Sequence, residues 1–355
     1  MKGPRKRAFL RLPFIGRPIS LLDKSIYSST MLVMNTKAKV QNRSTKDDAI
    51  IAALPKACAD EKAAVEFMEK QRWGAHPACP HCGDLDVYQM KDSKTGERQA
   101  NYRWRCRGCK DQFTVRVGTV FEESRIPLRH WCFAFWRAST SKKGVSALEI
   151  HRQTGVSYKS CLFMLHRIRF AMTEQNPAPL TGTVEADEVF IGGRNRKINN
   201  SRKTRKIEKT VVVGMKERGG RVRPRIVADV TGKSLKAVLR ENVDPSARVY
   251  TDEWSGYRGW VGKEFAGGHE TVRHSTNEYA RGDVHTNSIE GFFGMLRRGL
   301  DGIYHSVSRK HLHRYLGEFE FRHNYRELDD GERTLQAIRS ANHKRLTYAE
   351  QVGRE

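Results

Sequence analysis

The chain has 355 residues, with 65 lysines and arginines against 40 aspartates and glutamates, a formal net charge of +25. That excess points to a polyanionic partner, nucleic acid before an anionic membrane surface, and the length suggests two or three domains. No apolar run reaches about 18 residues, so no membrane-spanning helix is expected. Seven cysteines, four of them in two Cys-x-x-Cys pairs, argue for metal binding in a reducing cytosol over a disulfide framework.

Residues 1–46 are basic, without helical period, and interrupted by Arg and Pro. They read as a disordered leader, with a transit peptide or a start at Met31 or Met34 as alternatives; a secretory signal is not expected, because it needs a continuous apolar stretch. Residues 47–73 are rich in Ala and Glu, with Val65, Phe67 and Met68 on one face, and predict a short helical segment. Over 74–122 the period shifts towards two, in short runs such as Trp104 and Phe113 to Val117. Cys79 and Cys82, then Cys106 and Cys109, form two knuckles, with Gly83 and Gly108 as turn residues. Two such knuckles make a tetrahedral four-cysteine site with no open position, so 74–122 is expected to be a zinc ribbon holding a structural Zn2+. Arg103 and Arg105 flank Trp104 as candidate DNA phosphate contacts.

Residues 123–176 predict a helix-turn-helix-like module. Gly155 marks the turn, Ser157 is the N-cap of the second helix, and Leu162, Leu165 and Ile168 face inward. Tyr158, Lys159, Arg167 and Arg169 are expected outside, with Lys159 near the helix start that enters a major groove. A plain helical hairpin supporting the ribbon is the competing reading.

Residues 177–328 alternate strands (183–191, 209–216, 222–230, 247–251) with a helix between the last two, and a long helical pattern follows over 285–325. The first strand carries Glu185, Asp187 and Glu188 inside an apolar run. Alternation puts Glu185 and Asp187 on one face and Glu188 on the other. An unpaired buried carboxylate is costly, so a cation is the natural partner. Asp252 closes a later strand, and Asn287 and Glu290 lie one helical turn apart, with Arg297 two turns beyond. One aspartate on a central strand, one at the end of another and an acid on a following helix suit a two-metal phosphoryl-transfer site with Mg2+ or Mn2+, on a ribonuclease-H-like α/β layer. The basic loop over 194–209 is expected to hold DNA, and 329–355 to form a C-terminal tail. The fold expected is therefore multidomain α+β.

The segments "CPHCG", "WRCRGC", "VEADEVFIGG", "VYTDEWSGY", "HTNSIEGFFGMLRRG" and "KHLHRYLGEFEFRHNYR" resemble the DDE transposases of bacterial insertion sequences, in the ISXO-two-like branch with an N-terminal zinc ribbon. The resemblance runs from about 73 to 326. It implies Asp187 and Asp252 as the first two catalytic acids. An acid followed seven residues later by a base maps onto Glu290 and Arg297. Members with Asn in the third place map onto Asn287. Glu290 is taken as the metal ligand, with Asn287 as co-ligand or replacement. Arg297, where the family more often has Lys, and Arg298 are taken as DNA contacts. The resemblance also implies strand cleavage and transfer at terminal inverted repeats, target DNA as second substrate, a homo-oligomer in synapsis, and a cytoplasmic, nucleoid-associated site of action. The alternative function is a zinc-ribbon DNA-binding regulator with a dead nuclease-like domain.

Overall fold

A computed structural model describes residues 49–192, 196–197, 204–205 and 209–352. The leader over 1–46 and most of the basic loop over 194–209 lie outside the described residues; within that loop, β5 (Arg196–Lys197) and β6 (Thr204–Arg205) pair antiparallel.

Helices α1 (Ala49–Ala59), α2 (Glu61–Trp73), α3 (Leu128–Thr140), α4 (Ala147–Thr154), α5 (Tyr158–Met172) and α10 (Asp330–Arg339) share one apolar core, including Phe67, Trp131, Phe135, Ile150, Leu165, Leu335 and Ile338. Pro127 offers no capping side chain at the start of α3. Glu61 supplies the cap instead, accepting the Leu128 and Arg129 amides at 2.8 and 3.0 Å. Residues 329–355, expected as a tail, thus contain α10 as a core helix and the short α11 (Tyr348–Val352).

The α4–α5 pair turns at Gly155, whose φ of 72° is left-handed, and Ser157 caps α5 by accepting from Ser160. Leu165 and Ile168 are buried as expected. Arg169 corrects the expectation: it is 2% exposed and pairs with Glu318 at 2.7 Å. An amphipathic period assigns a charge to solvent, but here a second helix brings its own carboxylate. That helix is α9 (Arg309–Asn324), whose Arg322 also pairs with Glu318.

The ribbon is a three-stranded antiparallel sheet in the order β1 (Val87–Gln89), β2 (Trp104–Cys106), β3 (Gln112–Phe113). Trp104 lies in its small core, and its Nε1 donates to Glu69 of α2 at 2.7 Å.

The remaining sheet has five strands in the order β10-β9-β4-β7-β8. These are β4 (Thr183–Ile191), β7 (Thr210–Glu217), β8 (Val222–Val227), β9 (Arg248–Thr251) and β10 (His269–Thr271). β4, β7 and β8 form an antiparallel meander, while β9 and β10 add parallel on the other side of β4. Val184, Ala186, Val213 and Met215 pack on α6 (Gly232–Asn242). Val189 and Val212 pack on the opposite face against α8 (Asn287–Gly299) and α9. The short α7 (Val261–Glu264), β11 (Ala280–Arg281) and β12 (Val284–His285) lie between β9 and α8 in sequence. Among the described residues no helix is long and apolar enough to cross a membrane.

Candidate active site

The cysteine site is built by two tight turns. Gly83, with φ 81°, donates its amide to the Cys79 carbonyl at 2.9 Å, and the Cys79 amide donates to the Asp84 carbonyl. In the second knuckle the left-handed residue is Lys110, φ 65°, rather than Gly108. At Gly108 a Cβ would lie 2.3 Å from Asp84 Oδ2, so a larger residue there would displace that side chain. The sulfurs of Cys79 and Cys109 are 3.7 Å apart, and those of Cys82 and Cys106 3.6 Å. Ligands about 2.3 Å from a tetrahedral Zn2+ stand roughly 3.8 Å from one another, so the four sulfurs fit that ion.

The acid site starts from register. β4 pairs parallel with β9, Glu185 opposite Tyr250. Continuing two residues along each strand brings Asp187 beside Asp252, just past the end of β9. On the other side Asp187 pairs with Gly214 of β7. A Cβ on Gly214 would lie 2.5 Å from the Phe293 ring and 2.7 Å from Ile289, both on α8. The bare glycine therefore lets α8 settle onto the sheet directly beside Asp187.

A second device fixes α8. Its N-cap, Thr286, gives no side-chain cap, because its hydroxyl donates to Glu290 Oε1 at 3.1 Å. The orphan amides of Ser288 and Ile289 instead donate to Glu185 Oε2 at 2.9 and 3.1 Å. Glu185 is fully buried, paired with Arg218 at 3.0 Å and 3.3 Å from His285. The carboxylate expected to need a cation is thus satisfied by protein groups, and it ties the strand of Asp187 to the helix of Glu290.

Burial raises Asp187 to about 6, opposed by the Glu188 amide and reinforced by the negative charges of Asp252 and Glu290. Asp252 is raised too, by burial first. Glu188 is pushed up to about 8, mainly by burial, opposed by the Tyr257 hydroxyl and reinforced by Asp252 and Asp187. Glu290 and Asn287 are exposed on the first turn of α8, with His274 Nε2 3.8 Å from Glu290.

The structure thus brings Asp187 and Asp252 together with Glu188, while Glu290, on α8, adds its charge from outside that group. The basic candidates stay on separate elements. Arg297 and Arg298 are exposed on the last turn of α8. Lys159 is exposed on the first turn of α5, its ammonium 5.8 Å from the Phe163 ring centroid. Arg103 and Arg105 lie by the ribbon, bonded to Gln112 and to the Lys110 carbonyl. Sequence reasoning missed Glu188 as part of the acid cluster, since alternation placed it on the far face; the adjacent acids at positions 187 and 188 were the signal.

Residues 179–324 match the family model of the ISXO2-like transposase domain, and 59–112 that of the transposase zinc-ribbon domain. An uncharacterized transposase-like protein of Haemophilus influenzae is 31% identical over 103 residues, 29% of this chain and 80% of that relative. A protein in transposable element ISH50 of Halobacterium salinarum is 28% identical over 280 residues, 75% of this chain and 92% of its own length. The protein is a transposase. The chain belongs to the ISXO2-like transposase family, with that family's zinc ribbon ahead of its DDE domain.

Proposed function

We propose that this transposase cuts DNA at the inverted repeats of its insertion sequence and joins the freed ends to target DNA, using divalent cations held by Asp187, Asp252 and Glu290. The observation that carries this reading is the convergence of Asp187, within β4, and Asp252, just past the end of β9, with α8, the helix of Glu290, set beside them by the Gly214 and Glu185 contacts. The strand order, an antiparallel meander extended by two parallel strands, supports a ribonuclease-H-like catalytic layer. Asp187 and Asp252 are raised first by burial and further by neighbouring acids, so a cation among them would favour their charged forms, and oxygen ligands of this kind suit Mg2+ or Mn2+.

Bound there, such ions supply Lewis-acid activation of the attacking oxygen and stabilisation of the leaving one. The chain's own residues hold the geometry. Water attacks the scissile phosphate, the bond to the 3′ oxygen breaks, and that oxygen leaves as a hydroxyl. The hydroxyl then attacks a target phosphodiester in line, so one bond forms as another breaks. Asn287 stands one turn from Glu290 as co-ligand, and Arg297 and Arg298 grip backbone phosphate. The ribbon, organised by Zn2+ on Cys79, Cys82, Cys106 and Cys109, and the α4–α5 pair bind the terminal repeats through Arg103, Arg105 and Lys159. Synapsis of two ends calls for a homo-oligomer.

Purified protein, Mg2+ and a duplex bearing the element's terminal repeat test this reading, with cleaved and joined strands resolved. Cleavage and joining that vanish in Asp187→Ala support it. Tight end binding without chemistry in either protein would favour the regulator.

A further inference from the structure

Glu188 follows Asp187 on β4, and alternation sends its side chain to the face opposite α8. The ladder to β9 ends at Glu185 and Tyr250. Beyond Asp187 that side of β4 borders the turn through Asp252, and groups from both faces reach the same space. There, one carboxylate oxygen each from Asp187, Glu188 and Asp252 lie within 4.8 Å of one another. Glu290 is outside that trio, bonded to Thr286.

An acidic trio alone would be a weak sign. Tyr257 adds a second observation. It is fully buried, and its hydroxyl faces the Glu188 carboxylate closely enough to favour that charge, but not in the geometry of a full hydrogen bond. Glu188 Oε1 is also buried without a partner. Unsatisfied polar atoms at such a position cost stability that a pair of apolar side chains would not. A cation among the three carboxylates removes the repulsion and satisfies the orphaned oxygen.

We propose that Glu188 is a further metal ligand: it completes, from the other face of β4, a three-carboxylate cation site with Asp187 and Asp252. The catalytic centre then holds four carboxylates, with Glu290 serving from α8. This inference rests on the cation reading of the site given above.

Calorimetric titration of Mn2+ into the zinc-loaded full chain, freed of other divalent ions, tests it. Wild type is compared with Glu188→Gln and Asp187→Asn. Glu188→Gln should weaken Mn2+ binding by about tenfold or more. The metal-free variant should melt no lower than wild type, because an uncompensated acid has been removed, and its melting temperature should rise less on adding Mn2+. Wild-type affinity in Glu188→Gln, with binding lost in Asp187→Asn, would overturn the inference and leave the site's cation reading standing. Equal binding by wild type and Asp187→Asn would overturn both. A lower metal-free melting temperature in Glu188→Gln would assign the side chain to packing and overturn the proposal.

Discussion

The two ligand clusters of this transposase are built in opposite ways. The four cysteines come from two turns, with Cys79 and Cys109 30 residues apart, and each knuckle is closed by its own backbone hydrogen bonds. The acids come from two strands and a helix, and the contact that joins them, Glu185 to Ser288, spans 103 residues. A closed structural site can be encoded in local turns. A site that must admit DNA at its rim is encoded in tertiary packing, where register, a bare glycine and a borrowed helix cap set the distances.

The largest expected effect breaks the local site. The ribbon's buried apolar core is small, Cys79, Trp104, Cys106 and Phe113, so its order is expected to depend on the ion. Cys106→Ser should forfeit most of a binding free energy on the order of 10 kcal/mol. Zinc content should fall and amide exchange across the ribbon should rise, while the five-stranded sheet, with cores of its own, stays protected.

Next comes the buried ion cluster joining α5 to α9. Burial alone would raise the Glu318 carboxyl, but the Arg322 and Arg169 guanidiniums outweigh it and hold it below the ordinary range. A carboxylate lowered in the folded state contributes stability that is complete above its unfolded value and is lost as pH falls through the folded one. Wild type should therefore lose stability on acidification below about pH 4. Glu318→Gln, which leaves two guanidiniums buried, should cost about 3–5 kcal/mol at neutral pH and flatten that acid limb. Denaturant melts across the pH range measure both.

Glu185→Gln is a milder break. It keeps one oxygen acceptor for the α8 amides but removes the charge facing Arg218. A loss of about 1–2 kcal/mol is expected, with strand cleavage falling more than end binding because α8 carries Glu290. The smallest effect sharpens the comparison from outside: Arg297→Ala should leave stability unchanged and lower the slope of log affinity against log salt by about one.

What the sequence made legible follows the same division. The spacing of the cysteine quartet was readable because both ends of each turn are close in the chain. β4 was readable to its bounds because Val184, Ala186, Val189, Phe190 and Ile191 make its nine residues an apolar run around the acids. β10 was not: His269–Thr271 has no apolar signature and is a strand only because β9 lies beside it. Arg169 was placed outside because its partner, Glu318, is on another helix. Asp187, Asp252 and Glu290 were singled out as acids on a central strand, at the end of another and on a helix face, but Glu188 was set aside by an alternation rule that ignores where the neighbouring strand stops. Glu185 was grouped with the metal-seeking acids, although its partners are Arg218, His285 and two helix amides.

The central claim is that the gathered acids hold cations in contact with the oxygen that leaves the scissile phosphate. It is tested most directly with terminal-repeat DNA whose 3′ bridging oxygen at the cleavage point is replaced by sulfur. Softer Mn2+ accepts sulfur better than Mg2+ does. The account predicts that wild type cleaves this substrate poorly in Mg2+ and regains activity in Mn2+, relative to the all-oxygen DNA. An equal sulfur effect in both metals would contradict it.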